Sequence, residues 1–472
     1  MRELAQLLLP AIRWDPALGF APALPAVMRG VAAGVGGFVI EGGARDAVAE
    51  LTATIRRSAG DAPIIAIAPT ELTSASWRAR PLSVPPPAAV ASLRDALTVR
   101  RVARSVAREA RIAGCNAILG PSCNVPRAPR TDAFGRDAAD IAAAIAEWID
   151  AAQAEGVLCF AGAFPGGGAV TDALTGVPTV RESDDALYAS DLVPFRAAID
   201  AGVSGVVVAE ASYAALDASG TPASLSRAIL GRLLRMELGF EGLAVADASL
   251  LATRWGHRVR ASDLVGAGVD IVLRPVNVDV ELRTLIDAVE ARTLDGERVH
   301  EAAQRRRVRA EMAGAPAPMP NTGMNDDAWL DDVAERTITV VRGRSVRIAE
   351  PVEVAVVATR ADEASRAAAG FASGIADAGT EASSVRRVHA PGAGVRTPLV
   401  VLVVPPTGIS TAEQEVASLC AGARVAGRES VVVWCGHPAT TPAAPGASLA
   451  IACWSPSAPM LRAAGRWLLR RI

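Results

Sequence analysis

Acidic side chains stand at the ends of several short apolar runs in this 472-residue chain. Glu41 ends the run "GGFVIEG", Glu71 follows "PIIAIAP", Glu210 ends "GVVVAEA" and Asp247 ends "GLAVADA", while Arg274 ends "VDIVLRP". Hydrolysis of a glycosidic bond needs two carboxyl groups at one site, one as nucleophile and one as the acid that protonates the leaving oxygen. A carboxylate after a strand is also a common helix cap or ion-pair partner, so both interpretations are open for each residue.

Eight apolar runs that could position these side chains alternate with longer amphipathic segments. Continuous apolar strands suit a parallel sheet that is buried on both faces, and eight β/α units predict a TIM barrel. A doubly wound sheet is the alternative, although no GxGxxG motif follows the first strand. In a TIM barrel, the carboxyl ends of the strands meet at one mouth, where chemistry takes place. The runs lie near 5–13 and at 36–42, 63–69, 116–122, 157–164, 205–211, 242–248 and 269–275.

A segment rich in proline, glycine and alanine, "AGAPAPMPNTG" at 313–323, divides the chain. We therefore expect a barrel domain over 1–312, a linker over 313–335 and a second domain over 336–472. Apolar runs such as "VEVAVVAT" and "PLVVLVVP" alternate with helical segments in that last part. This alternation predicts a smaller α/β layer domain, so the overall fold class is α/β.

The composition excludes several classes of function. All 48 basic residues are arginine and they nearly balance 50 acidic residues, so we expect no nucleic-acid partner. The absence of lysine excludes a Schiff-base lysine and a P-loop lysine. The six cysteines form no CxxC pair, and no His/Cys/Asp cluster has ligand spacing, so we expect neither a metal nor another cofactor. No apolar run is long enough to span a membrane, which favours a soluble, cytoplasmic protein without a membrane partner.

Three long stretches share their order and spacing with a known family. They are 192–217, 222–249 and 267–275, and the motifs "FGRDA" and "FPGGGAVTD" support them. On these motifs, residues 1 to about 310 resemble the catalytic barrel of family 3 glycoside hydrolases, especially the bacterial β-N-acetylhexosaminidase branch. The resemblance implies a retaining mechanism in which Asp247 holds the nucleophile position. The last part of the chain is similar to the α/β domain that follows the barrel in two-domain members.

The glycine-rich loop keeps the backbone signature of this family but not its reactive side chains. The family usually has Lys-His before Phe-Pro-Gly-His-Gly, whereas this chain has Gly162 and Ala163 before Phe-Pro-Gly-Gly-Gly. Asp172 matches the aspartate of the family's Asp-Ser-His motif, but Leu174 replaces the histidine that serves as acid/base. Glu210 stands where strand six usually ends in histidine. Loss of one such group typically lowers the rate about 10²- to 10⁴-fold, so loss of most of them predicts weak or absent hydrolysis.

Three hypotheses for function follow from these residues. A retuned glycosidase would use Asp247 as nucleophile and either Glu210 or Glu71 as acid, with a pKa raised by an apolar site and a like-charged neighbour. A pseudoenzyme would keep a pocket for a small carbohydrate or glycopeptide, or would serve as a scaffold. The third hypothesis is a different reaction at the same mouth, because a fold does not determine function.

The same hypotheses assign roles to the other residues at the predicted mouth. Glu41, Glu71 and Arg274 are candidate substrate contacts. Asp172 is the remnant of the family's acid/base dyad. Trp77 and Trp255 lie in predicted strand-end loops and are candidates for aromatic platforms under a sugar, with core packing or shielding of the rim as the alternatives for each.

Overall fold

The computed structural model describes residues 2–74, 76–78, 82–168, 176–255, 259–313, 326–343, 346, 352–378, 385–387, 398–404 and 409–470. The chain forms two compact units. The first comprises residues 1–78, 99–127 and 133–322, and the second comprises 79–98, 128–132 and 323–472. This division differs from the predicted one because two segments of the barrel sequence belong to the second unit. No helix in the described part of the chain is long and apolar enough to cross a membrane.

The first unit is built on a parallel sheet that closes on itself. Nine of the described strands form this sheet in the order β1-β11-β10-β8-β6-β5-β4-β3-β2, and each neighbouring pair is parallel. The strands of the unit are β1 (Leu8–Leu9), β2 (Ala11–Arg13), β3 (Gly37–Glu41), β4 (Ile64–Ile67), β5 (Ala117–Ile118), β6 (Leu158–Phe164), β7 (Thr179–Val180), β8 (Gly205–Val208), β9 (Ser212–Tyr213), β10 (Leu243–Asp247) and β11 (Ile271–Leu273). β7 and β9 pair separately.

Pro10 explains why this sheet has one more strand than the eight predicted runs. It interrupts the first run, which becomes β1 and β2, and proline has no N–H to donate to a neighbouring strand. β1 pairs with β11 through Leu8 and Val272, while β2 pairs with β3 through Ile12 and Ile40. One short segment therefore joins the two ends of the sheet. The result is a TIM barrel, which confirms the predicted fold.

Helices connect the barrel strands, and apolar side chains fill the barrel. The helices along this part of the chain are α1 (Arg2–Ala5), α2 (Leu24–Ala33), α3 (Arg45–Ser58), α4 (Pro69–Leu72), α5 (Pro87–Ser92), α6 (Ala96–Ile112), α7 (Ala138–Gln153), α8 (Asp184–Ala186), α9 (Val193–Asp200), α10 (Ala248–Trp255), α11 (Ala261–Ala267), α12 (Val278–Glu290) and α13 (Gly296–Met312), with π-helical segments at Leu187–Asp191 and Ala228–Glu237. The strands contribute a buried cluster that includes Leu9, Val39, Ile64, Leu158, Phe160, Leu243, Val245 and Ile271. A filled interior leaves the strand ends as the place for a site.

The second unit is a smaller α/β layer structure, as predicted. Six described strands form its sheet in the order β12-β17-β16-β15-β13-β14, parallel except for the edge strand β12. The strands are β12 (Thr339–Gly343), β13 (Val352–Val357), β14 (Val385–Arg387), β15 (Leu399–Val403), β16 (Ser430–Trp434) and β17 (Leu449–Ala452), and the helices are α5, whose bounds are given above, with α14 (Asp326–Arg336), α15 (Ala361–Asp377), α16 (Ile409–Val425) and α17 (Ala458–Arg470). Of the predicted linker, 313–335, the structure describes residue 313 and residues 326–335, and the latter belong to helix α14.

Candidate active site

Asp247 is the last residue of β10, and helix α10 begins directly after it. Its Oδ1 accepts hydrogen bonds from the Ser249 amide at 3.0 Å, the Ser249 hydroxyl at 2.7 Å and the Leu250 amide at 3.3 Å. This is the arrangement of a side chain that caps the first turn of a helix. Its Oδ2 accepts a hydrogen bond from Nη1 of Arg274. Both carboxylate oxygens of this buried aspartate are therefore engaged.

Arg274 links Asp247 to a second carboxylate at the same mouth. It directly follows β11, and its φ of +49° turns the chain at the strand end. Its Nε donates to Oε1 of Glu41 at 2.6 Å, and Nε of Arg13 donates to the other oxygen of Glu41 at 2.8 Å. Four side chains thus form a continuous series of ion pairs, Arg13–Glu41–Arg274–Asp247. We call this series the mouth network.

The exposed fraction of the side chain falls along the mouth network from Arg13 to Asp247. The exposed fraction of the side chain is 74% for Arg13, 26% for Glu41, 20% for Arg274 and 6% for Asp247. Burial alone raises the pKa of Glu41, but the hydrogen bonds and charges of Arg13 and Arg274 outweigh it and hold this pKa below its ordinary value. Glu41 is therefore a carboxylate at neutral pH, and it holds Arg274 in front of Asp247.

Glu71 has the opposite electrostatic environment. It lies in the short helix α4 after β4, and its Oε2 accepts a hydrogen bond from the Gly42 amide at 3.1 Å. Burial raises the pKa of Glu71, and the negative charge of Glu41 adds to this effect. The raised pKa favours the protonated carboxyl group, which is the form that a general acid needs.

Glu210 lies two residues beyond the end of β8, the strand that pairs with β10. Its side chain is buried, and its Oε2 accepts a hydrogen bond from the hydroxyl of Ser224 at 2.8 Å. The Ser224 contact was not predicted, because Ser224 lies in a 3₁₀ turn with no recognisable motif. The guanidinium of Arg274 bonds to Glu41 and to Asp247.

Trp77 does not have the position predicted for a sugar platform. Only 1% of it is exposed, and its indole N–H donates to Oε1 of Glu109 on α6 at 2.9 Å. Glu109 also forms ion pairs with Arg45 and Arg78. A large indole gains most from burial when its N–H finds a partner, so Trp77 is a core residue and the prediction is corrected. The predicted Asp172 and the side chain of Trp255 lie outside the described residues.

Close packing explains why the loop after β6 keeps its glycines. A Cβ on Gly166 would lie 2.6 Å from Cβ of Asp191, and a Cβ on Gly168 would lie 1.8 Å from the carbonyl oxygen of Val125. The amide of Gly167 donates to Oδ1 of Asn124 at 2.7 Å. These glycines are required by the backbone path, whether or not a ligand binds. Nothing in the sequence alone marks Asn124 and Asp191 as their partners.

The described histidines do not join the mouth network. His300 on α13 is within 2.8 Å of Glu3, and His437 belongs to the second unit, where its ring packs edge-on against Trp454. His257 and His389 lie outside the described residues. No group of three or more metal-ligating side chains occurs within the described ranges.

Comparison with known proteins identifies the class to which this barrel belongs. The model of the glycosyl hydrolase family 3 N-terminal domain matches residues 31–308. The chain belongs to glycosyl hydrolase family 3. It is 32% identical over 229 residues to a β-N-acetylglucosaminidase/β-glucosidase from Cellulomonas fimi, a match that covers 44% of this chain and 40% of the relative. It is 30% identical over 260 residues to a β-hexosaminidase from Xanthomonas oryzae, covering 49% of this chain and 72% of that one.

A solved structure extends the likeness in fold to the whole chain. The family 3 β-N-acetylglucosaminidase from a Paenibacillus strain superimposes with a TM-score of 0.82 at 20% identity, covering 100% of this chain and 96% of that chain. By contrast, this chain spans only 40% of the length of the Cellulomonas relative and 38% of a β-hexosaminidase A from Pseudoalteromonas piscicida. At this level of identity, the structural match describes the fold of both units.

Proposed function

We propose that this chain is a carbohydrate-binding member of family 3 that does not hydrolyse its ligand at ordinary enzymatic rates. The observation that carries the proposal is the engagement of both Asp247 oxygens, one by Arg274 and the other by the first turn of α10. A nucleophilic carboxylate must present a free lone pair to the anomeric carbon. Here three donors converge on Oδ1, and the guanidinium of Arg274 bonds to Oδ2, the oxygen that the helix cap leaves open. An ion pair with a guanidinium lowers the nucleophilicity of that oxygen.

The ligand that fits this proposal is a small carbohydrate or glycopeptide that binds over the mouth network. Arg13, Glu41 and Arg274 keep part of their side chains exposed, and guanidinium and carboxylate groups both form strong hydrogen bonds with hydroxyl groups. Asp247, with 6% of its side chain exposed, stays behind Arg274. Binding and catalysis are therefore separated within the mouth.

The test is hydrolysis of 4-nitrophenyl N-acetyl-β-glucosaminide, whose good leaving group needs little help from an acid. We expect the wild-type protein and Asp247→Asn to release nitrophenolate equally slowly. Asp287→Asn, an exposed position in the second half of α12, is the matched control. Calorimetric titration with N-acetylglucosamine measures binding in the same samples. Turnover of about 10 per second that disappears only in Asp247→Asn would refute the proposal.

A slow glycosidase is the second candidate, because Glu71 has an electrostatic environment suited to an acid. Burial and the nearby charge of Glu41 raise the pKa of Glu71, as a substitute for the family's histidine would require. Glu210 is the other candidate acid from its position after β8. Comparing Glu71→Gln and Glu210→Gln on a good and a poor leaving group distinguishes the two, because loss of an acid slows the poor leaving group far more.

We also propose a cytoplasmic location. All six cysteines are buried free thiols, as expected in a reducing compartment. Fractionation of cells that produce the natural protein tests this, and recovery from the medium or the cell envelope would contradict it.

A further inference from the structure

Arg274 lies between two carboxylates, as a bound cation would, whereas a simple surface ion pair has one acidic partner. Its guanidinium bonds to Glu41 through Nε and to Asp247 through Nη1, so two separate carboxylates hold one cation. Both acids come from the ends of other strands, β3 and β10. The planar guanidinium presents donors in several directions within one plane, and this geometry suits a gap between two carboxylates.

Removal of this side chain would leave two carboxylates facing a gap. Asp247 is almost fully buried, and loss of its cation would leave a buried charge that another cation or a proton must neutralise. Arg13 does not fill the same position, because it bonds to the outer oxygen of Glu41 and keeps 74% of its side chain exposed. The gap would therefore accept a small planar cation from solution.

We propose that Arg274 is an intramolecular inhibitor that occupies a cation-binding position between Glu41 and Asp247 and thereby covers the nucleophile position. The inference deepens the proposed function, on which its catalytic consequence rests. The ligand class for the vacated position is a small planar cation such as methylguanidinium. The covered group is the carboxylate of Asp247.

Removal of the Arg274 side chain would allow Asp247 to attack a glycoside with a good leaving group. With Arg274 removed, Oδ2 of Asp247 forms a bond to the anomeric carbon, and the bond from that carbon to the nitrophenyl oxygen breaks. Nitrophenolate leaves with the electron pair and needs no proton. Water then attacks the glycosyl–aspartate ester, Asp247 is regenerated as a carboxylate, and the proton of the water passes to the solvent.

The first measurement is calorimetric titration of methylguanidinium into the wild-type chain, Arg274→Ala and Arg274→Lys. We expect Arg274→Ala to bind this cation about tenfold or more tightly than the wild-type chain. Arg274→Lys should behave like wild type, because it keeps a cation between the acids. Arg283→Ala, which removes an exposed arginine of helix α12, is the matched control and should also behave like wild type. Equal affinities for all four proteins would overturn the proposal.

A second variant keeps the test decisive if Arg274→Ala does not fold. Arg274→Gln has a shorter neutral side chain with an amide donor, and the same titration and the same criterion apply to it. The second measurement is nitrophenolate release. We expect release to rise at least about tenfold in the neutral variant and to fall again when methylguanidinium is added. Release that is unchanged by the substitution would contradict the covering role of Arg274.

The two proposals fail in distinguishable ways. Rapid hydrolysis by the wild-type chain would refute the proposed loss of catalysis, and the affinity for methylguanidinium would still test the position of Arg274. Slow hydrolysis by the wild-type chain together with weak cation binding by the neutral variants would uphold the first proposal and overturn the second.

Discussion

The two ends of strand β11 have ion-pair networks of opposite composition. Asp270 directly precedes the strand, and three arginines surround it: Arg235 at 2.5 Å, Arg305 at 3.3 Å and Arg298. Arg274 directly follows the strand and is shared by two carboxylates. One end thus has one acid among several arginines, and the other end has one arginine between two acids.

Burial separates the roles of these two networks. Asp270 is completely buried, and its Oδ2 also accepts the amide of Ala244 on β10 at 2.9 Å, so it ties neighbouring strands together. In the mouth network, exposure rises from Asp247 outward to Arg13. Residues at the amino-terminal face of a TIM barrel typically serve stability, whereas the carboxyl-terminal face holds the active site. We therefore expect the Asp270 network to stabilise the fold and the mouth network to be the one that a ligand can reach.

The largest expected effect is that of Asp270→Asn. The variant leaves three guanidinium groups around a neutral amide, and the loss of one partner in a buried ion pair costs about 3–5 kcal/mol. Urea denaturation, followed by a signal from the barrel unit, measures this loss. Asp287→Asn is the exposed control and should change the free energy of unfolding by less than about 0.5 kcal/mol. A similar loss in the free energy of unfolding for both variants would show that the Asp270 ion pairs do not stabilise the barrel.

Arg274→Gln should have a smaller effect, a loss of about 2 kcal/mol in the free energy of unfolding. Its partners are less buried than Asp270, and water or a solution cation can take the place of the guanidinium. The same denaturation experiment measures it. A loss as large as that of Asp270→Asn would mean that Arg274 is primarily structural.

Trp77→Phe tests a residue that was predicted for the mouth but packs in the core. The substitution removes the hydrogen bond to Glu109 and keeps an aromatic ring, so we expect a loss of about 1 kcal/mol in stability. Affinity for N-acetylglucosamine should stay unchanged. A loss of affinity without a loss of stability would return Trp77 to the binding surface.

The smallest effect is a difference in pH dependence between the two glutamates of the mouth. The pKa of Glu71 is raised from 4.5, so its contribution to stability is present below that pH and is lost as the pH rises through the folded-state pKa. The pKa of Glu41 is lowered from 4.5, so its contribution is present above that pH and is lost as the pH falls through the folded-state pKa.

The free energy of unfolding, measured against pH for the wild-type chain, Glu71→Gln and Glu41→Gln, tests this difference. Relative to wild type, Glu71→Gln should gain stability as the pH rises above 4.5, and Glu41→Gln should gain stability as the pH falls below 4.5. Parallel curves for the three proteins would show that the glutamates share one environment.

The strand ends could be predicted from sequence, but their partners could not. Apolar runs that finish in a charged residue are local signals, and they correctly place Glu41, Asp247 and Arg274 at the carboxyl ends of β3, β10 and β11. The partners of Arg274 depend on which strands lie beside β11 in the closed barrel. Local spacing in the sequence does not encode that order. Trp77 shows the same limit, because a loop position does not reveal whether a side chain turns outward or into the core.

Long-range packing also decides where the two units divide. The composition of 313–323 predicts a linker, but nothing in it indicates that 79–98 and 128–132 belong to the second unit. Ser83 illustrates the reason, since its hydroxyl donates to Asp331 on α14 at 2.5 Å across 248 positions of the chain. No periodicity or motif in 79–98 indicates that contact.

In the mechanism that we propose, Asp247 holds the nucleophile position of this family while Arg274 keeps it from acting. The most direct test is the rate of nitrophenolate release from 4-nitrophenyl N-acetyl-β-glucosaminide by the wild-type chain, Arg274→Ala and the double variant Arg274→Ala/Asp247→Asn. We expect release to be slow in wild type, to rise at least about tenfold in Arg274→Ala and to return to the wild-type level in the double variant. Fast release by the wild-type chain, or an increase in Arg274→Ala that survives in the double variant, would contradict it.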